Sequence, residues 1–206
     1  MKTSRLFRSA LVVASCSLSI LAVSGIANAA SFTVFTDQTA WEAAVGGTFF
    51  TEEFDDNVFE DFSVVSTVGE VNNGLWEDQI NDAPLQTTEW QFDKGITAWG
   101  GQFWDLAGPG GPGSGIKLTF DLLDGTTQTL GTEMSRFLSG DFFGVVSDER
   151  FDTVLLTEGT QSGVRETYRM DRMVYAVPEP ASVLGLLGIG AFGLGKALKR
   201  KKQQLS

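Results

Sequence analysis

Histidine is absent from this 206-residue chain. Its absence removes the commonest general base at neutral pH, the Ser-His-Asp triad and most zinc sites. The one cysteine, Cys16, lies in an apolar leader at the start of the chain. The region beyond that leader therefore has no disulfide, no thiol nucleophile and no thiolate metal site, and must be held by packing. Positive charge is also scarce, with 15 Lys+Arg against 26 Asp+Glu. Three basic residues (Lys2, Arg5, Arg8) stand at the start and five (Lys196, Lys199, Arg200, Lys201, Lys202) at the end, while every acid lies between Asp37 and Glu179. The stretch between holds 7 basic and 26 acidic residues, a net −19. Such a surface repels nucleic acid and anionic lipid, and suits divalent cations and neutral or cationic partners.

Both ends read as addresses. Met1 to Ala29 has the anatomy of a secretory signal peptide. Lys2, Arg5 and Arg8 form its positive start, Ala10 to Val23 its apolar stretch, and Ala27-Asn28-Ala29 a small-x-small cleavage site. Mature residue one is then Ala30. A rival reading takes Val13-Ala14-Ser15-Cys16 as a lipobox with Cys16 lipidated, although the apolar run continues past Cys16. Residues 30–176 remain as one domain of ordinary size.

Turn signals and short alternating runs predict an all-β domain. Ser31 to Thr36 alternates as a strand, and Asp37 caps a short helix over Gln38 to Val45 that Gly46-Gly47 ends. Thr48 to Phe54 and Phe62 to Val68 read as strands, and Asn72 to Pro84 as polar and turn-rich. Glu89 to Phe92 and Ile96 to Leu106 read as a pair turned at Asp93-Lys94-Gly95. Gly108 to Gly115 (GPGGPGSG) reads as a mobile surface loop, without the Gly-Lys-Ser/Thr ending of a phosphate loop. Ile116 to Leu122 and Thr126 to Leu130 form a hairpin at Asp124-Gly125. Phe142 to Val146, Phe151 to Leu156 and Thr167 to Ala176 complete the set. In the last, Tyr168, Met170, Arg172, Val174 and Ala176 share one face by strict alternation. Many short strands with one short helix predict an antiparallel β-sandwich or jelly roll. The 16 Phe and 5 Trp suit aromatic packing between two layers.

The end of the chain is Pro-Glu-Pro, a short Gly-rich apolar run and a basic cluster. Residues 181–198 barely reach the ~20 residues that span a bilayer as a helix. The positive charge after them favours the cytoplasmic side. Val177-Pro178-Glu179-Pro180-Ala181, the Gly/Leu-rich run and the Lys/Arg end together resemble the PEP-CTERM sorting signal. That resemblance implies export, anchoring in the inner membrane through residues 181–198, and recognition by exosortase, an integral-membrane protease or transpeptidase. It implies a cut near Pro-Glu-Pro and a destination at the cell surface or outside the cell, in envelopes that make exopolysaccharide. The segments FTDQTAWEAAVG, TAWGGQFWDL, GSGIKLTFDLLDGT and DFFGVVSDERFDTVLLT resemble β-rich exported proteins with such tails, which implies a jelly roll like that of many carbohydrate-binding modules. Such modules often hold structural calcium, and the matching residues here are Glu53, Asp55 and Asp171.

Other residues present chemistry of their own. Glu52-Glu53-Phe54-Asp55-Asp56 crowds four carboxylates that a cation would relieve, or that water solvates on an acidic surface. Trp76, Trp90, Trp99 and Trp104 each offer an indole face for a sugar ring. Trp99 and Trp104 differ by five positions, so a regular strand points them to opposite faces and at least one is core. Trp76, set in a polar stretch, reads as the exposed candidate ligand contact. No catalytic residue stands out. The expectation is a non-enzymatic exported protein that binds or associates with exopolysaccharide. A surface-coat protein without a ligand and a glycoside-active enzyme remain the alternatives.

Overall fold

The computed structural model describes residues 29–82, 85–104, 113–161, 163 and 165–178. Along these run the strands β1 (Phe32–Phe35), β2 (Phe50–Glu52), β3 (Phe62–Ser66), β4 (Glu70–Asn72), β5 (Leu75–Asp82), β6 (Leu85–Gln86), β7 (Thr88–Trp104), β8 (Ile116–Leu122), β9 (Thr127–Thr129), β10 (Asp141–Glu158) and β11 (Glu166–Ala176). A helix, α1 (Gln38–Val45), follows β1. Neighbouring strands pair antiparallel throughout.

Two long strands serve both layers of the fold. The first part of β7 pairs with β3, from Phe62↔Phe92 to Ser66↔Thr88, and its last part with β11, from Ala176↔Ala98 to Arg169↔Trp104. β10 starts against β1 and ends against β8. Where the two halves meet, the β7–β10 register shifts between Val146 and Phe151. Irregularities of this kind bend a strand and raise its twist, so one sheet folds back over itself. Layer one holds β3, the start of β7, the end of β10, β8 and β9. Layer two holds β4, β5, β11 with β2, the end of β7, the start of β10, and β1.

Aromatic contacts between the layers show the closure. Phe32 of β1 stacks on Phe120 of β8 at 4.4 Å between ring centroids. Trp76 of β5 meets Trp90 of β7 at 5.2 Å. Tyr175 of β11 lies 5.9 Å from Phe62 and 5.2 Å from Phe92. The expected antiparallel β-sandwich with one short N-terminal helix is the observed fold.

α1 forms where its signals place it. The Asp37 carboxylate accepts the Ala40 N–H at 2.7 Å, and Gly46 ends the helix at φ 64 with its N–H on Glu42 O at 3.1 Å. Trp41 anchors the helix to the outer side of layer two. It is fully buried, and its Nε1 donates to Val145 O at 3.0 Å. Around it pack Ala98, Phe142, Val174 and Ala176. Gly100 and Gly144 make the approach possible: a Cβ on Gly144 would lie 2.8 Å from Trp41 Cδ1, and one on Gly100 2.8 Å from Gly144 Cα.

Several elements differ from the sequence expectation. β5 occupies most of the stretch expected to be turn. Asn73 and Gly74 both take positive φ (52 and 78), the two-residue hairpin turn between β4 and β5, and Trp76, Asp78 and Ile80 then alternate inward. β7 runs unbroken through Asp93-Lys94-Gly95, where Arg150 Nε and Nη2 hold Gly95 O at 3.2 and 3.0 Å. β10 is likewise one strand rather than two. In β11 an extra residue sits between Asp171↔Gln102 and Val174↔Gly100, with Arg172 at φ 50. That bulge resets the alternation. Tyr168, Met170, Met173 and Tyr175 join the main core, while Val174 and Ala176 turn outward beneath α1. The end of the glycine-rich loop is buried rather than on the surface, since Ser114 is 3% exposed.

Candidate functional site

Trp76 corrects an expectation. It is 4% exposed, its ring is against Trp90, and its Nε1 donates to the Tyr168 hydroxyl at 3.2 Å. The polar residues that flank it in sequence point the other way, so a polar stretch hides a buried tryptophan. Trp41, Trp90 and Trp99 are also buried. The exposed tryptophan is Trp104, at 39%. The opposite facing of Trp99 and Trp104 is as the spacing predicts.

Glu53 and Asp55 are exposed and Asp171 is half-buried. Glu53 Oε1 faces Arg172 Nε at 3.7 Å, so its charge is already met by a cation of the chain. Among the described residues, no group of three or more acidic, cysteine or histidine side chains converges to hold a metal ion. Glu53, Asp55 and Asp171 are therefore not part of any such converging group. Of the tail, Val177 and Pro178 are described, and Glu179, Pro180, Ala181 and the apolar run 181–198 lie outside the described residues. Among the described residues no helix is long and apolar enough to cross a membrane.

Sequence reading missed two buried carboxyls, Asp78 and Glu166. Asp78 accepts from Thr88 Oγ1, from Ser66 Oγ at 2.9 Å and from Gln79 N at 2.7 Å. Thr88 Oγ1 in turn accepts from the Tyr168 hydroxyl at 2.8 Å. This chain joins β3, β5, β7 and β11 inside the sandwich. Burial pushes the Asp78 carboxyl above its ordinary range, and these hydrogen bonds oppose the shift. Glu166 is fully buried and its Oε2 accepts the Gly115 N–H at 2.6 Å. A Cβ on Gly113 would lie 2.1 Å from both carboxyl oxygens, so only glycine fits there. Burial pushes Glu166 up to about 7. The signal for both was the period of two: Asp78 falls between Trp76 and Ile80, and Glu166 two before Tyr168. Asp78 is enclosed and bonded at both oxygens, which suits a structural role, whereas Glu166 is bonded at Oε2 and its buried Oε1 has no hydrogen-bond partner among the described residues.

The outward side of layer two is divided in two. One half lies under α1. On the other, alternation turns Trp104 and Gln102 of β7, Arg169 and Asp171 of β11, and Glu77 of β5 outward, opposite to Phe103, Met170 and Trp76 of the core. The register sets Trp104 directly opposite Arg169, Arg169 opposite Glu77, and Glu77 opposite Glu70. Arg169 Nε pairs with Glu77 Oε1 at 2.9 Å, with side chains 46% and 27% exposed. Asn72 Nδ2 donates to Glu77 Oε2 at 3.2 Å. The benzene half of the Trp104 indole rests against Gly140, where a Cβ would come within 2.5 Å of Cη2. Gly140 is itself fixed by its N–H on Phe103 O at 2.7 Å. The arrangement is an aromatic surface beside a charged pair that can donate and accept, on rigid strands rather than loops.

The described residues form an antiparallel β-sandwich with a partly exposed polar sheet surface. Residues 176–201 match the PEP-CTERM protein-sorting motif. The chain therefore carries that sorting signal, the mark of an exported protein processed at the membrane by exosortase. Among curated proteins, none matches the chain. Among solved structures, a mutant of CBM29-2, a family 29 carbohydrate-binding module, is similar over 65% of this chain and 99% of its own, with 8% identity and a TM-score of 0.44.

Proposed function

We propose that this chain is a non-enzymatic protein of the cell surface or extracellular matrix, handed by its tail to exosortase and associated with exopolysaccharide. The observation that carries the reading is the junction at the end of β11. Ala176 is buried and paired with Ala98, Val177 packs against the main core, and Pro178 follows at once. The sorting motif begins where the fold ends. A cut between Val177 and Ala181 leaves every core strand intact, so the domain is released without unfolding. The net −18 of residues 30–176, between leader and tail, holds the domain off anionic lipid. The lack of histidine, with a cysteine only in the leader, supports a binding or structural role over catalysis.

The test is the intact mass of the protein recovered from its native host, together with its partition between cells and extracted exopolysaccharide. The reading predicts a chain that starts at Ala30, ends between Val177 and Ala181, and follows the polysaccharide fraction. A mature protein that retains Lys196 to Ser206 contradicts the processing. A protein with the trimmed tail that stays out of the polysaccharide fraction leaves a surface-coat protein without that ligand.

A further inference from the structure

We infer that the open half of layer two, centred on Trp104 with Arg169 and Glu77, is a binding face for a neutral polysaccharide chain. The inference rests on the proposed association with exopolysaccharide and gives it a place and a ligand chemistry.

Three observations carry it. Trp104 is exposed although the other four tryptophans are buried. An indole kept 39% exposed forfeits part of the burial that stabilises the other tryptophans, yet an indole face is suited to the C–H surface of a sugar ring. The ring is also held: Gly140 lets it lie close, and the Gly140–Phe103 bond fixes that glycine. A restrained aromatic loses little freedom on binding. The charged pair stands in the same row. From Trp104 across β11 to Glu77 is two strand spacings, roughly 10 Å. Arg169 and Glu77 offer sugar hydroxyls both donors and acceptors, and hydrogen bonds to charged groups are the stronger kind. The row runs across the strands, so an extended polymer would lie perpendicular to β7 and β11.

Charge selects among polymers. A polyanion approaching a domain of net −18 is repelled, and the pairing of Arg169 with Glu77 leaves no concentrated positive field to offset this. A polycation would be drawn to any part of the acidic surface without need of Trp104. A neutral glycan is the class for which the stacking ring and the polar pair decide binding.

The test is affinity electrophoresis of the full chain, kept soluble in a polyoxyethylene detergent whose head group is not a sugar. Native gels would contain hydroxyethylcellulose, galactomannan or the neutral polysaccharide shed by the host, with carboxymethylcellulose and chitosan as charged counterparts. Retardation by at least one neutral polymer is expected. Trp104→Ala should weaken it about tenfold, in the range of a lost aromatic contact plus its buried area. Trp104→Tyr should keep most of it, and Arg169→Gln should weaken it a few-fold. A cooperative melt well above the gel temperature shows that each variant is folded. Retardation that survives Trp104→Ala overturns this face while leaving polysaccharide binding standing. No retardation in any neutral gel, or retardation by chitosan alone, overturns the neutral-glycan face, and a protein that also stays out of the host's exopolysaccharide fraction overturns the association itself.

Discussion

Along β7, Ala98 and Gly100 lie beneath α1, whereas Gln102 and Trp104, a few residues further on, look out from the same side of the same sheet. The β11 residues that face them follow suit. Val174 and Ala176 sit under the helix, and Arg169 and Asp171 stand beside Trp104. The covered half is built of small and apolar side chains that let Trp41 approach. The open half is built of long polar ones and a single large ring. A face meant to be buried would not hold an Arg–Glu pair, because taking both charges out of water costs more than their attraction returns unless every bond is met. The contrast indicates that this half faces water by composition.

The comparison can be broken from the covered side with the largest effect. Trp41→Ala removes a fully buried indole and its bond to Val145, and should cost about 3–5 kcal/mol in denaturant unfolding. Glu166→Gln acts through pH. The folded Glu166 titrates near 7, above its ordinary 4.5, so the native state binds more protons between those values. The stability that this carboxyl contributes is fully present below about 4.5 and is lost as pH rises through about 7. At about 1.4 kcal/mol for each pH unit crossed, thermal melts of the wild type should fall across that window. Those of Glu166→Gln should fall less. Gly144→Val forces a branched side chain against Trp41 Cδ1 and should cost about 1–3 kcal/mol by the same unfolding measurement. From the open side, Trp104→Ala removes a ring that is 39% exposed and rests on Gly140, and should cost about 1–2 kcal/mol, less than Trp41→Ala. Chelation by EDTA should leave the melt unchanged, because Glu53 already faces Arg172 and no group of three or more acidic side chains converges among the described residues.

Much of this was legible in the residues. The cap at Asp37 and the stop at Gly46 fixed α1, and Asp124-Gly125 fixed the β8–β9 hairpin. The spacing of Trp99 and Trp104 told that one would be core. The bulge at Arg172 was not legible. A positive φ at a non-glycine residue is imposed by tertiary packing and leaves no local mark, yet it decides which β11 side chains meet α1 and which meet the core. The continuity of β7 and β10 was hidden for a related reason. Sequences that bend look like sequences that turn, and only partners on both sides keep the chain extended through Asp93 to Gly95. Trp76 was misread as exposed because composition averages over both faces of a strand, while burial alternates residue by residue.

The measurement that tests the open face most directly is acrylamide quenching of tryptophan fluorescence with and without a neutral polysaccharide that retards the protein. Four of the five tryptophans are buried, so the readily quenched emission belongs to Trp104. The account predicts that polysaccharide shields this component and that Trp104→Ala lacks it from the start. Quenching that stays unchanged when the polysaccharide is bound would contradict it.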